Sequence, residues 1–476
     1  MRKFQNLECR KRRDVLSLFG GRGIKKLTHA TPNLPDSTTT RMNTLNLNHN
    51  QSPMTNTAYS ELIRRFPASA DLLSYLKSAE GGRLSVRTPP DAEGASESEK
   101  PYVVISYDKG TANMDVPHVE YFRSVVWDTV KNRPVSAAPS RGRAFSTASA
   151  CDGPWVVEDF VDGIMLNMFW DGMWRLASRT NLDAKVGFYG KRSFAELFWE
   201  TADAMSLNKD NLNTSRVYSW VLQHPSERIV VALPNGKPKL FLVEESELKE
   251  NGDQVVFRDV DLAFREFQPT RHAVTTLDEV NAHVESWGKN AGYLWQGVVL
   301  KNLPADGKQP TRWKLRTEKY ETARKLRGNQ SKLPFLWLER FKERKLTAYL
   351  AIYSEEDTAA NAVIESFKAC TKELHRLYDD VYRKKLYPLG KAPQKYRKLL
   401  WEIHLDRKGA YFPHVREFMN GQDTARKLWL VNYEARYGAT GTPALPASPP
   451  QEEDTVTIDA DAPVASSKEP DYEVVD

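Results

Sequence analysis

The residues from Val156 to Thr180, VVEDFVDGIMLNMFWDGMWRLASRT, have the pattern of a β-hairpin that could carry a reactive site. An Asp-Gly pair at 162–163 is followed by alternating apolar residues, and a second pair at 171–172 predicts the tight turn between two strands. Phe160 stands just before the first pair, where such a site would be expected to hold a reactive group. A phenyl ring has no heteroatom, so this position can supply no nucleophile.

The elements around this hairpin change character along the chain. Between about residues 101 and 320, short β-branched runs bounded by turn residues predict strands, among them YVVISY, SVVWD, IVVAL, KLFLVEE and GVVLKN. A few helical stretches interrupt them, such as 193–205 and 276–290. From about 331 to 437, apolar residues recur at three- and four-residue spacing, which predicts helices. The expected fold class is therefore α+β, with a mixed-sheet domain followed by a helical C-terminal domain.

The composition limits the environment of the protein. The chain has 476 residues, enough for two or three domains, and no run of eighteen apolar residues that could span a membrane. Its three cysteines, Cys9, Cys151 and Cys370, lie far apart and lack the spacing of zinc ligands. No apolar core of a secretory signal is present. We therefore expect an intracellular protein of a reducing compartment, not a secreted one, without a metal site.

The charge is unevenly distributed along the sequence. The net charge is +6, yet residues 440–476 contain nine acidic residues and one lysine, so the rest of the chain carries about +14. A basic body with an acidic tail is typical of proteins with a polyanionic partner such as nucleic acid, although solvated lysine-rich helices give the same balance.

The two ends of the sequence lack a sustained hydrophobic period. Residues 1–56 are basic, with RKRR at 10–13, and we expect a disordered extension, or upstream sequence ahead of a start at Met42 or Met54. Residues 438–476 are rich in Pro, Ala, Ser and acids and predict a disordered acidic tail. The predicted boundaries between these ends are 57–330 for the sheet domain and 331–437 for the basic helical domain.

Several short motifs follow one another in the sheet domain. They are FRSVVWDTVKNRPVSAAP at 122–139, FVDG at 160–163, SRT at 178–180, PSERIV at 225–230, QGVV at 296–299 and KLRTEKY at 314–320. Each is weak alone, but their order and spacing resemble the nucleotidyltransferase domain of phage-type ATP-dependent RNA ligases. The sequence is more closely similar to RNA-ligase-like proteins of large DNA viruses. This resemblance implies an RNA/DNA-ligase-like nucleotidyltransferase fold.

The sequence departs from the family pattern at three reactive positions. The family's nucleophilic lysine, which attacks the α-phosphorus of ATP, falls at Phe160, and two family glutamates fall at Val221 and Gln296. Magnesium prefers carboxylate oxygens, and its charge is a large part of phosphoryl-transfer catalysis. The resemblance therefore implies no catalytic residue and no expected cofactor here; an active form would need ATP and Mg²⁺.

Other family positions keep residues that suit phosphate. The resemblance implies a phosphate- or nucleotide-binding set formed by Asp162, Gly163, Arg179, Arg228, Lys314 and Arg316. Arginine at 316, where the family has lysine, keeps the charge and adds a planar fork suited to phosphate. The alternative is that these cations pair with neighbouring acids.

The helical domain has a second basic cluster. Its candidate nucleic-acid-binding residues, interleaved with Tyr387, Tyr396 and Trp401, are Arg383, Lys384, Lys385, Lys395, Arg397 and Lys398. Cations can neutralise phosphates while aromatic rings stack on bases. Helical spacing equally fits Tyr396, Leu399, Leu400 and Ile403 on a core face, and His404 and His414 as packed or surface residues.

Three functions remain open on these residues. The leading hypothesis is an RNA-ligase-like pseudoenzyme that binds nucleic acid, RNA more than DNA, in the cytoplasm of an infected host, a nucleus or a virion. A second is an active RNA ligase with a displaced lysine, for which Lys109 and Lys185 are the candidates. A third is a virion or scaffold protein whose cleft is filled by Phe160, Val221 and Trp220. Membrane association is not expected, and the sequence does not indicate an oligomeric state.

Overall fold

The computed structural model describes residues 54–89, 101–148, 155–190, 192–257, 260–302 and 311–438, and all structural statements refer to these. The basic cluster at 10–13, Cys9, Cys151 and the acidic tail lie outside them. Strands dominate up to residue 316 and helices after it, which confirms the predicted α+β class. None of the described helices is both long and apolar enough to cross a membrane.

Within the described ranges, fifteen strands form three sheets. In chain order they are β1 (Met54–Asn56), β2 (Ser85–Arg87), β3 (Tyr102–Ser106), β4 (Val125–Asp128), β5 (Arg133–Ala137), β6 (Arg143–Ala144), β7 (Trp155–Asp159), β8 (Ile164–Trp170), β9 (Trp174–Ala177), β10 (Arg216–Gln223), β11 (Lys239–Leu248), β12 (Gln254–Val256), β13 (Arg271–His272), β14 (Gly297–Asn302) and β15 (Arg312–Arg316). The six-stranded sheet has the order β1-β12-β11-β10-β8-β9, the five-stranded sheet β13-β7-β14-β15-β6, and the four-stranded sheet β2-β3-β4-β5. All pairs are antiparallel except β15 with β6.

The described residues also form eleven α-helices. They are α1 (Ala58–Arg65), α2 (Ser69–Lys77), α3 (Phe194–Ala204), α4 (Leu277–Ala291), α5 (Glu318–Arg327), α6 (Leu333–Lys342), α7 (Leu346–Ile352), α8 (Asp357–Tyr378), α9 (Gln394–Asp406), α10 (Phe412–Gly421) and α11 (Thr424–Tyr437). The two helices predicted inside the sheet region are confirmed as α3 and α4. Each begins at a capping box, Ser193 with Glu196 and Thr276 with Glu279, which satisfies the free N–H groups of the first turn.

Successive side chains along a strand point to opposite sides of the sheet, so each sheet has two distinct faces. In the six-stranded sheet, Trp220 and Leu222 pack with Phe198 of α3. In the five-stranded sheet, Val298 and Leu300 pack with Val284 of α4. The alternate residues of both sheets point away from these helices, and a cavity is formed between those faces. Helices α1 and α2 cover the four-stranded sheet in a further core.

Two sequence expectations are corrected by the sheets. Met54–Asn56 was expected inside the disordered extension 1–56, but it forms β1 and pairs with Gln254–Val256. A strand of three residues is too short to show a period. IVVAL, at 229–233, was expected to be a strand, but the backbone N–H groups of Val230 and Val231 donate to the Asp162 carboxylate instead of to a neighbouring strand.

The helical region has a core of its own. Its members include Tyr396, Leu399, Leu400 and Ile403, all buried, as the core-face interpretation of α9 predicts. Cys370 is a buried free thiol in the same core.

Two arginines join the helical region to the sheets. Arg327, at the end of α5, is 3% exposed, and its guanidinium carbon lies 4.0 Å from the ring centroid of Tyr189 and 4.7 Å from that of Tyr353. It also donates to Glu356 and to the Arg228 carbonyl. Arg228 in turn pairs with Glu355 at 2.6 Å. These contacts fasten the loop around residue 228 to the helices.

We predict that Arg327→Met destabilises the protein by about 3–5 kcal/mol, because Glu356 would keep its mostly buried charge without a cationic partner, with only the hydrogen bonds from Trp337 and Tyr349 left. The unfolding free energy from a urea titration measures this. Lys325→Met, two residues earlier on the exposed side of α5, is the control and should change stability by less than about 0.5 kcal/mol. Equal effects of the two substitutions would contradict the role given to Arg327.

Candidate functional site: the cavity between two sheets

Two positions at which the sequence departs from the ligase pattern, Phe160 and Val221, line a cavity between the six- and five-stranded sheets. Met165, Val221 and Val243 line it from the first sheet, and Glu158, Val299, Lys301, Arg312 and Lys314 line it from the second. Phe160 and Val161, which directly follow β7, also line it. The free space is about 40 Å³, room for a few water molecules. This inter-sheet cavity is therefore narrow.

One end of the inter-sheet cavity is apolar. Phe160, Val161 and Val221 are buried together and pack with Met165, Phe241, Val243 and Val299. Two of the three positions where the sequence departs from the ligase pattern, 160 and 221, thus contact one apolar cluster. Side chains therefore fill this end of the cavity.

A cation lies over the ring at position 160. The guanidinium carbon of Arg316 is 4.9 Å from the centroid of the Phe160 ring. Burial lowers the pKa of Arg316 to about 10, with nearby Arg324 acting in the same direction, so the group stays charged at neutral pH. A cation over an aromatic face is attracted by the ring quadrupole. A lysine ammonium at position 160 would instead meet a like charge.

The other end of the cavity holds two buried ion pairs. Lys301 Nζ lies 2.5 Å from Glu158 Oε2, and Arg312 Nη2 lies 2.7 Å from Glu244 Oε2. Burial lowers the pKa of Lys301 in spite of Glu158. Burial alone would raise the pKa of Glu158, but Lys301 and two arginines hold it below its usual range. Both acids are therefore already neutralised by protein cations.

Sequence reasoning missed Glu158, Lys301 and Arg312. The signal was present, because each stands in a strand at positions that alternate with buried apolar residues: Val157 beside Glu158, Leu300 beside Lys301. Inward-facing charges at period two indicate a buried ionic layer.

Asp162 is a structural hub and does not line this cavity. Its carboxylate is buried and accepts hydrogen bonds from the Tyr320 hydroxyl at 2.6 Å and from Val230 and Val231 N–H at 3.0 and 2.8 Å. Burial raises its pKa, although these three hydrogen bonds oppose the shift. Next to it, a Cβ on Gly163 would lie 2.5 Å from the Leu222 carbonyl oxygen, so only glycine fits.

The other predicted phosphate-binding residues divide between the cavity and elsewhere. Lys314 lines the cavity and Arg316 contacts Phe160. Arg179 lies outside the lining, where it donates to the Tyr107 carbonyl. Arg228 belongs to the junction with the helical region, where Glu355 binds its guanidinium. Gln296 is buried, and its backbone carbonyl oxygen accepts a hydrogen bond from the Thr317 N–H, with 3.0 Å between nitrogen and oxygen.

Three residues named in the alternative hypotheses lie away from the cavity. Lys109 and Lys185 are exposed and do not line it. Trp220 was expected to help fill the cleft, but it faces α3, because neighbours on a strand point to opposite faces.

The basic residues predicted in the helical region are only partly on the surface. Lys395 is buried beside Glu434, which corrects its assignment to an exposed face. Arg383, Lys384, Lys385, Arg397 and Lys398 are exposed. Of the three interleaved aromatics, Tyr396 is buried, Tyr387 half-buried and Trp401 exposed.

The two histidines of the helical region have structural surroundings. His404 stacks on Tyr382 with ring centroids 3.9 Å apart, and His414 is half-buried near Tyr411. Among the described residues no group of three or more His, Cys, Asp or Glu side chains is arranged to hold a metal ion.

Comparisons with known proteins give matches among solved structures alone. No protein-family model and no curated protein matches this sequence. An archaeal ATP-dependent RNA ligase, form 2, is 12% identical over 79% of this chain and 79% of that chain, with a TM-score of 0.32. Form 1 of such an archaeal ligase is 13% identical over 76% and 88%, with a TM-score of 0.35. A candidate ATP-dependent DNA ligase from Aquifex aeolicus is 13% identical over 64% and 81%, with a TM-score of 0.33. Values this low carry no argument about activity.

We predict that Phe160→Leu costs about 2 kcal/mol of stability, since it removes part of a buried ring and its contact with Arg316. Phe160→Lys should cost clearly more, by at least about 2 kcal/mol, because a desolvated ammonium would face the Arg316 charge. Urea unfolding at neutral pH measures both. Equal stability of the leucine and lysine variants would show that position 160 is open to water and would contradict the closed cavity.

Proposed function

We propose that this protein is an RNA-ligase-like protein that forms no covalent adenylate and binds nucleic acid, RNA in preference to DNA. The observation that carries the first half is the environment of Phe160. An aromatic ring under Arg316 stands at the position that corresponds to the family's lysine, and the ring packs with Val221. Neither side chain has a lone pair that could attack phosphorus or coordinate a metal ion.

The cavity supports the same conclusion by its size. Pockets for small molecules measure roughly 300–1,000 Å³, whereas the inter-sheet cavity has about 40 Å³ and the separate cavity lined by Asp162, Gly163 and Arg228 has about 270 Å³. The residues present do not fit a magnesium-bound nucleotide, since valine and glutamine stand at the two positions matched to glutamates. Of the acids at the cavity, Glu158 and Glu244 are committed to Lys301 and Arg312, and Asp159 accepts a hydrogen bond from the Trp295 indole and lies 2.8 Å from His272 Nε2.

The second half of the proposal rests on charge. Residues 1–439 carry a net charge of about +14, and five of the six predicted basic residues of the helical region are exposed. Lysine and arginine at a surface release counterions from nucleic acid when they bind its phosphates. We assign nucleic-acid binding to the surface of the helical region, because the inter-sheet cavity is too narrow for a nucleic-acid strand.

The filled cavity also supports a second candidate, a scaffold protein that uses the fold without nucleotide or nucleic acid. The apolar cluster around Phe160 and Val221 is the observation in its favour. Trp220 contributes nothing to this filling, since it faces α3. Nucleic-acid binding distinguishes the two candidates.

We expect no covalent label after incubation with α-labelled ATP and either Mg²⁺ or Mn²⁺, followed by denaturing electrophoresis. An active ATP-dependent RNA ligase run in parallel is the positive control. Label retained by this chain would overturn the non-adenylating half of the proposal. Alanine substitution of Lys301, Lys314, Lys109 and Lys185, one at a time, would then identify the labelled residue.

We expect the full-length protein to bind RNA with an affinity that falls steeply as salt rises from 50 to 200 mM, because phosphate contacts release counterions. Fluorescence anisotropy with single-stranded, duplex and nicked RNA and DNA of equal length measures affinity and preference. Absence of binding to every probe at the lower salt would remove the nucleic-acid half and leave the scaffold function.

A further inference from the structure

Two basic segments that are distant in sequence meet on the surface of the helical region. Arg383-Lys384-Lys385 follows the π-helical turn after α8, and Arg407-Lys408 follows α9. Arg383 Nη2 donates to the carbonyl oxygens of Gly409 and Ala410, at 3.2 and 3.1 Å, and so ties the segments together. We call the surface formed by residues 383–385, 407–408 and Tyr411 the 383–411 surface. Sequence reasoning had named only its first three members.

An exposed aromatic ring lies on this surface. Tyr411 is 61% exposed and directly precedes α10. The guanidinium carbon of Arg383 lies over one face of the ring, 3.8 Å from the ring centroid. The stacked cation also restricts the ring's orientation, which lowers the entropic cost of binding a flat partner.

The charges around the ring are only partly neutralised. Asp379 pairs with Arg383 at 3.2 Å, and Asp380 pairs with Lys384 at 3.2 Å and with Arg376 at 2.8 Å. Asp406 is a further acid beside Arg407. Within the described part of the chain, none of Lys385, Arg407 and Lys408 forms an ion pair, and all three are exposed. Three cations and one aromatic ring are thus available to a ligand.

We propose that the 383–411 surface binds single-stranded nucleic acid, with an unpaired base stacked on Tyr411 and backbone phosphates at Lys385, Arg407 and Lys408. This inference rests on the proposed nucleic-acid binding and names its place and substrate class. A stacked ring recognises the flat face that every unpaired base presents, whereas a duplex hides those faces. Cations near the ring suit the phosphates on either side of such a base.

The test is fluorescence anisotropy of the full-length protein with a labelled 12-nucleotide single-stranded RNA and with a duplex of the same length. We expect Tyr411→Ala to weaken single-strand binding about tenfold or more and duplex binding little, and Tyr411→Phe to restore single-strand binding. Trp287→Ala, which removes a 43%-exposed ring from α4 in the sheet region, is the matched control and should change neither.

The charges are tested by the triple variant Lys385→Ala, Arg407→Ala, Lys408→Ala. It should lower the slope of log affinity against log salt by about 2 for single strands, as expected for three lost phosphate contacts. The control is alanine substitution of three exposed lysines in the sheet region, Lys77, Lys237 and Lys239. This variant loses the same number of charges and should keep most of the salt-dependence slope.

The outcomes separate this inference from the function on which it rests. If the unaltered protein binds no RNA or DNA, the proposed function fails. If the unaltered protein binds, and Tyr411→Ala and the triple variant bind as well as it does, nucleic acid binds elsewhere. The assignment of binding to the 383–411 surface would then be wrong. Equal losses on single strand and duplex would exclude base stacking. The last measurement is binding to vesicles that contain phosphatidylserine. If the protein binds these vesicles and Tyr411→Ala does not, the 383–411 surface would be assigned to lipid headgroups instead.

Discussion

The contact between Phe160 and Arg316 governs the chemistry that this fold can perform. A hydrocarbon ring removes the lone pair that attack on phosphorus requires, and the guanidinium above it occupies the ring face that a ligand would otherwise reach. Val221 then closes the same end of the cavity with a side chain that fits beside the ring. Substitutions at positions 160 and 221 act together, because both contribute to one apolar cluster. Restoring a single reactive group would therefore leave the cavity closed.

The ion pairs of the cavity show how buried acids can be present without being available to a ligand. Glu158 and Glu244 look available when only their types are considered, but each has a buried cation within 2.7 Å. Such pairs cost solvation energy when they form, and removing one partner leaves the other charge buried without compensation. The Arg312–Glu244 pair joins the two sheets, whereas Lys301 and Glu158 both lie in the five-stranded sheet, and neither pair offers net charge to a ligand.

Local signals in the sequence predicted the elements well, and long-range contacts explain where prediction failed. The helices predicted at 193–205 and 276–290 match α3 and α4 to within one residue at each end, and each begins at a capping box that is complete within four residues. IVVAL has strand composition, yet its N–H groups bind Asp162, which is 68 residues away from Val230. Lys395 was placed on a basic face although it is buried beside Glu434 from another helix. The position of Tyr411 against Arg383 likewise depends on a turn that brings two helices together.

The junction formed by Arg228 and Arg327 has a mechanical consequence. Arg228 binds Glu355 and the Ile352 carbonyl of the helical region, whereas Arg327 packs on Tyr189 and donates to the Arg228 carbonyl, so the contacts of both arginines join sheets and helices. A chain fastened in this way has no soft hinge at that point. A nucleic-acid strand bound on the helical surface would therefore be held at a fixed angle to the sheets. The molecule would then act as a rigid spacer between that nucleic acid and any other partner.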